Sequence, residues 1–281
     1  MNFKCSCCEA LHFEAEQTGG DKHRYTNCCG KGKVAVPLST NYSDEIQQLY
    51  SGNTRDSKEF LKTIRQYNNN FAFASVQSNV EGLPSKGIYS YQINGQLYHH
   101  IGGALPQPGR PEKYGQLYFV DVEEAIVARQ RLNVNLSVNT LQLLERFVRS
   151  SNPYAQDYLT MREVRESEMR QACEEDRDPM DVVMVFPESN AYTRGGVHQL
   201  PPPAAAGEIA VIFVEDPEQR FLRHGYISVS CHRRKFKTIP LDSIHLDPMC
   251  YPLLFLYGER GHPQSDINGI RAVYHCSQRS I

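Results

Sequence analysis

CSCCEALHFEAEQTGGDKHRYTNCCGKGKV, residues Cys5 to Val34, holds five of the nine cysteines of a 281-residue chain. Cys5 and Cys8 form a Cys-x-x-Cys knuckle, and Cys28 and Cys29 return as a second pair after a loop rich in Gly and polar residues. Four thiolates from two such pairs can close a tetrahedral zinc site, since the softness and number of the ligands suit that ion. Cys5, Cys8, Cys28 and Cys29 are the expected ligand set, with the fourth position open among Cys29, Cys7, His12 and His23. The competing reading is a cluster of buried or free thiols, because cysteine also serves as a small hydrophobe. A redox Cys-x-x-Cys fits less well: that motif opens a helix after a strand, and the residues before Cys5 are not expected to form one.

Composition bounds the rest. The length suffices for a buried core in one or two domains. No apolar run approaches the roughly 18 residues that a membrane span needs, and the first residues, MNFKCSCCEA, lack the apolar centre of a signal peptide. The expectation is an intracellular protein with no membrane partner. An odd cysteine count without a secretory signal argues against a disulfide framework and favours metal binding. Net charge is −2, so any nucleic-acid contact must come from a local basic patch rather than from the charge of the whole molecule.

Along the chain, Asp44 to Tyr50 reads as a short helix ending at Ser51-Gly52. Asp56 and Glu59 have capping-box spacing, and Phe60, Leu61, Ile64 and Tyr67 follow on one face. Phe71 to Val76 and Ile88 to Ile101 change to a strand period, with Asn94-Gly95 as a type I′ hairpin turn. Gln116 to Val120 is expected to start another strand. From Glu123 to Asp176 the pattern is helical: Leu141, Leu144 and Val148 mark a buried helix, and Asn152-Pro153 is an N-cap followed by proline at the first helical position. Arg162 to Asp178 carries seven acids against four arginines, which predicts a solvated face. Strands return at Asp181 to Phe186 and Glu208 to Val214, around a loop containing Pro201-Pro202-Pro203, and again at Gly225 to Cys231. The densest basic patch follows, His232-Arg233-Arg234-Lys235-Phe236-Lys237. Its cations and aromatic ring suit a phosphate backbone and a base, while a basic strand edge that discourages sheet pairing is the rival account. The apolar run DPMCYPLLFLYGERGH, from Asp247 to His262, reads as a surface cut off from something that should pack on it.

These blocks resemble the N-terminal, pre-nuclease region of Helitron transposases, rolling-circle transposon proteins labelled helicase-like. The resemblance is carried in order by Cys5-x-x-Cys8-Glu9-Ala10 and Cys28-Cys29-Gly30-Lys31-Gly32-Lys33-Val34, then by Phe60-Leu61 with Ile64-Arg65-Gln66-Tyr67-Asn68 and Phe71-Ala72-Phe73-Ala74-Ser75. Gly95 to Gly102, Gln116-Leu117-Tyr118 with Asp121, Asn152-Pro153-Tyr154 and Arg177-Asp178-Pro179 continue it. Asp247-Pro248, Tyr251-Pro252-Leu253-Leu254-Phe255 and Tyr257-Gly258 complete it. The resemblance implies a nuclear protein contacting DNA, as a single strand or a transposon end. In that family the region is followed by a metal-dependent HUH nuclease and a DNA helicase. None of the ten histidines makes the His-hydrophobe-His pattern of that nuclease. Tyr154-x-x-x-Tyr158 mimics its paired tyrosines, yet a packed aromatic stripe is the better account without a metal to polarise the phosphate. No Gly-x-x-x-x-Gly-Lys-Ser/Thr loop is present. No catalytic or nucleotide-cofactor residues are therefore expected, and this chain is not expected to be an enzyme.

The expected architecture is α+β: an N-terminal zinc-knuckle segment, a β-hairpin with a small sheet, a helical middle and a second mixed sheet near the C-terminus. Expected boundaries are 1–36 for the cysteine-rich segment, 37–180 for the α+β core, 181–263 for the second strand group and 264–281 for an unmatched tail. Lys31, Lys33, Arg233, Arg234, Lys235 and Lys237 are the expected phosphate contacts. Two rivals remain: a zinc-stabilised protein-interaction module docking a partner through residues 247–262, and a decayed transposon remnant without activity.

Overall fold

The computed structural model describes residues 3–7, 11–12, 16, 25, 42–77, 98–106, 108–187, 209–215, 227–231, 237–240 and 243–259. The chain divides into two compact units, Met1–Arg65 with Arg260–Ile281, and Gln66–Glu259. Helix and strand are both present, with a helical middle and small antiparallel sheets. Among the described residues no helix is long and apolar enough to cross a membrane.

In the first unit β1 (Phe3–Lys4) pairs antiparallel with β2 (Leu11–His12). The residues before Cys5 thus do form a strand, two residues long, against expectation: the chain turns at Ser6-Cys7 and brings β2 back alongside. Helix α1 (Asp44–Tyr50) has the expected bounds and buries Ile46, Leu49 and Tyr50. Gly52, at φ +72°, turns the chain out of it, a conformation that glycine adopts without a Cβ penalty. Ser57 then ties α1 to α2 (Arg55–Phe71): its hydroxyl donates to Leu49 O at 2.7 Å and accepts from Gly52 N at 2.6 Å. The start of α2 is capped by Thr54, whose hydroxyl accepts from Ser57 N at 3.1 Å, rather than by the Asp56–Glu59 pair. Phe60 and Tyr67 are buried as expected, while Leu61, one position off the i, i+4, i+7 line, is exposed.

In the second unit α2 continues through Phe71, where the sequence pattern predicts a strand. The Ala72 amide still bonds to Asn68 O, and the Phe73 and Ala74 amides both bond to Met249 O, so these donors are taken before any strand neighbour can use them. Strand β3 is therefore only Ser75–Gln77; it pairs with β4 (Tyr98–Ile101), which pairs with β8 (Lys237–Ile239), all antiparallel. The Asn94-Gly95 turn lies outside the described residues. Tyr114–Phe119 is a 3-10 helix and not a strand. The Gln116 side chain explains it: its Oε1 accepts from Lys113 N at 3.1 Å, and its Nε2 donates to Gly103 O and Leu105 O at 3.0 and 3.1 Å. Gly115 completes the turn, because a Cβ there would lie 2.5 Å from the Tyr158 ring.

Helices α3 (Val122–Leu132), α4 (Val138–Ser151) and α5 (Pro153–Glu174) form the helical middle. Asn152 caps α5 as expected, its side chain accepting from Tyr154 N at 3.0 Å. The apolar face of α5, Tyr154, Ala155, Tyr158 and Met161, is buried, and the helix packs on β5 (Asp181–Phe186) and β6 (Val211–Glu215). The second sheet has the order β6-β5-β7, with β7 at Ile227–Ser230. Both of its pairings are antiparallel, so it is not the mixed sheet expected. Its central strand buries Val182 to Phe186 completely, which is why that stretch reads as unbroken apolar sequence.

Two further expectations change. The acidic half of α5 is not wholly solvated: Glu168 is buried, its carboxylate bonded to Arg177 and to Met180 N. Arg177 holds the Glu168 carboxyl below the usual range. The C-terminal apolar run is covered by its own chain. Helix α6 (Leu246–Cys250) and the turn after it bury Met249, Leu253, Phe255 and Leu256. Asn68 donates to Cys250 O at 2.8 Å, and Asn152 donates to Phe255 O and Leu256 O at 3.2 and 3.3 Å. These carboxamides satisfy the carbonyls of a segment with little helix of its own.

Candidate functional site

Of the expected zinc ligands Cys5 is described and buried, directly after β1; Cys8, Cys28, Cys29 and the alternative His23 lie outside the described residues. Cys7, another alternative, is exposed. His12, the last, stacks on Tyr25 with ring centroids 3.8 Å apart, and its Nδ1 lies 3.1 Å from Glu16 Oε2. Among the described residues no three His, Cys, Asp or Glu side chains form a metal-binding group. The expected phosphate contacts Lys31, Lys33, Arg233, Arg234 and Lys235 also lie outside. Lys237 opens β8, at an edge of its sheet, while β7 is an edge of the other. The basic run is thus bracketed in sequence by two edge strands.

Tyr154 and Tyr158, which mimic a nucleophile pair, are buried in an aromatic core with Phe73 and Phe186. Burial pushes the Tyr158 hydroxyl above its ordinary range, away from nucleophilic use. Tyr154 Oη lies 2.8 Å from His245 Nδ1, and His245 Nε2 lies 3.2 Å from Pro187 O. A carbonyl only accepts, so Nε2 carries a proton, and in the neutral ring Nδ1 then accepts from the tyrosine. This pair serves packing.

A second polar cluster leaves little trace in the sequence. Arg129 on α3 and Glu145 on α4 are both 0% exposed and joined at 2.6 Å; Arg149, one turn on, meets the same carboxylate at 2.6 Å. Arg149 also donates to Leu117 O and Val120 O at 3.0 Å each, and Arg129 donates to Asn70 O. The Arg129 guanidinium lies 4.1 Å from the Phe71 ring centroid, where the ring face attracts a cation. One carboxylate and the surrounding rings and carbonyls therefore hold two cations in the core. Only the i, i+4 spacing of Glu145 and Arg149 is visible in one dimension.

Among the described residues of this unit lies a geometric candidate for ligand binding, a cleft of about 370 Å³ lined by Asn69, Asn70, Lys113, Tyr114, Asn133 and Tyr251, among others. Four places in the chain hold it: the end of α2 with the residues after it, the start of the 3-10 turn, the end of α3 at Leu132-Asn133, and the end of α6 at Cys250-Tyr251. Asn70 is 1% exposed, and neither its Oδ1 nor its Nδ2 has a hydrogen-bond partner, a state that costs about 1–3 kcal/mol. Tyr114 sits at φ +56°, a left-handed conformation that costs a bulky residue about 1–3 kcal/mol; the three bonds made by Gln116 keep it there. Tyr251 is 44% exposed. The run Asn68-Asn69-Asn70 at the end of a helix is the signal available in the sequence, since asparagine is a poor interior helix former.

Cysteine chemistry separates the surface from the core. Burial pushes the Cys231 and Cys250 thiols up to about 12, whereas Cys7 and Cys173 are exposed. Between pH 8 and 10 alkylation of Cys231 and Cys250 in the folded chain should stay far slower than that of an exposed cysteine, because both thiols are buried and mostly protonated below about 12. Peptide mapping after timed iodoacetamide treatment should show Cys173 modified well before either; equal rates would contradict this burial.

No family model matches the chain, and no curated protein matches it.

Proposed function

We propose that this chain is a noncatalytic, DNA-contacting region of a Helitron-like transposase. In this reading Cys5, Cys8, Cys28 and Cys29 hold a zinc ion that orders the N-terminal segment. Lys31 and Lys33 beside it, with Arg233, Arg234, Lys235 and Lys237, neutralise phosphates. The ordered succession of sequence blocks from Cys5 to Gly258 supports the family, and the position of the basic run supports the contact. That run is short and tied in sequence to an edge strand at each end, β7 and β8. The protein-interaction reading is weaker, because the apolar residues it relied on, Met249, Leu253, Phe255 and Leu256, are buried within their own unit.

Fluorescence anisotropy of labelled single-stranded and duplex DNA, over a salt series and with or without a zinc chelator, tests the proposal. Affinity should fall as salt rises, through counterion release, and fall further with the chelator. Reversing charge together at Arg233, Arg234 and Lys235 should flatten the log–log salt slope by about 2 for a single strand and weaken binding roughly 10- to 100-fold. An unchanged slope overturns the role of the basic run. No binding to either DNA form by a folded, zinc-loaded chain favours the remnant reading.

A further inference from the structure

We infer that the cleft beneath Tyr114 and Tyr251 binds one nucleotide unit, an adenine base with its phosphate. Its volume, about 370 Å³, lies in the range of small-molecule sites, about 300–1,000 Å³. Its chemistry narrows the class. Among the described residues lining it there is no carboxylate, and Lys113, which is exposed, is the one cation. A monoanionic group such as a phosphodiester matches that charge.

Two tyrosines line the same cleft, and Tyr251 is a large exposed ring at its edge. Bases stack on such rings because every base has a π-face. Asn70 supplies the discriminating element. A carboxamide offers a donor and an acceptor side by side, which is the complement of the N6 and N7 edge of adenine, and here both of its atoms lack partners. Both amide atoms are covered in the unliganded chain, so the side chain must turn into the cleft to meet a base edge, a motion that the soft terminal torsion of asparagine permits.

The site is also held ready. Gln116 fixes the turn that carries Lys113 and Tyr114 through three hydrogen bonds, and the Phe73 and Ala74 amides anchor the opposite wall to Met249 O. A binder that is preorganised loses less on ordering its side chains. The unit bound can be a free mononucleotide or one residue of a single strand. This inference rests on the cleft and stands whether or not the basic run contacts DNA.

The test is calorimetric titration of the full-length chain with dAMP, dTMP, inorganic phosphate, and short oligo(dA) and oligo(dT). Binding should favour dAMP over dTMP and phosphate, and oligo(dA) over oligo(dT). Tyr251→Ala, at an exposed position, should weaken dAMP or oligo(dA) roughly tenfold, the lower part of the range for one stacked base. Asn70→Leu should erase the adenine preference while the thermal midpoint holds or rises, which separates loss of recognition from loss of fold. Saturable dAMP binding identifies a mononucleotide site; oligo(dA) binding without it, still sensitive to Tyr251→Ala, identifies a single strand as the source. Phosphate binding as well as dAMP, binding unchanged in both variants, or no nucleotide binding by the folded chain overturns the proposal. DNA binding lost on reversal at Arg233, Arg234 and Lys235 but unaffected at Tyr251 overturns the cleft and leaves the basic run standing.

Discussion

Glu145→Gln should destabilise the Gln66–Glu259 unit by about 3–5 kcal/mol, the cost of removing one partner from a buried ion pair. Glu145 is fully buried between Arg129 and Arg149, at 2.6 Å from each. The amide keeps the shape and loses the charge, which leaves two guanidiniums in the core with no counterion on that side. Arg149 is partly exposed and can turn to water; Arg129 is 0% exposed and cannot. The chain contains no tryptophan, so urea denaturation followed by far-ultraviolet circular dichroism is the suitable measurement. Adding Arg129→Met should recover part of the loss, because an apolar side chain of similar length removes the stranded cation. A midpoint unchanged by Glu145→Gln would mean that the rings and carbonyls around Arg129 suffice without the carboxylate.

Gly258→Ala carries the second large effect. Gly258 sits at φ +64°, and a Cβ there would lie 2.7 Å from Pro153 Cγ and 2.8 Å from Cδ. The conformation costs a residue with a Cβ about 1–2 kcal/mol, and crowding a packed core costs about 1–3 kcal/mol more. Pro153 cannot retreat, since it opens α5 between the bonded Asn152 and the buried Tyr154. Gly109 provides the comparison: it sits at φ +73°, and a Cβ there would meet nothing within 4 Å, so Gly109→Ala should cost only the conformational part. Equal losses at the two positions would show that the Pro153 contact adds nothing.

The candidate sites are legible in the sequence to different degrees. The cysteine knuckle and the basic run stand out because thiolates and cations are chemically conspicuous and close together along the chain. The cleft is the opposite case. Asn70, Lys113 and Tyr251 are ordinary residues in three distant segments, and only their convergence makes a site. Arg129 likewise reads as one more polar residue on an amphipathic helix, and its burial depends on the facing Glu145 of another helix. The C-terminal run misleads for a related reason: its apolar residues announce a need for cover, and nothing local tells where the cover comes from.

The sequence by itself determined the elements whose signals lie within a few residues: the bounds of α1 at Ser51-Gly52, the start of α5 at Asn152-Pro153, the buried strand β5 and the mixed α and β content. Caps, glycine turns and apolar periods act through bonds to near neighbours, so they survive reading in one dimension. The tertiary structure alone decided that α2 runs through Phe71, that Tyr114–Phe119 is helical, and that Asp247 to Leu256 is largely interior. In each case a backbone donor or acceptor is satisfied by a group far away in sequence: Met249 O for Phe73 and Ala74, the Gln116 carboxamide for Gly103 and Leu105, and the Asn152 carboxamide for Phe255 and Leu256. A buried polar group must find a partner, and the fold chooses which one.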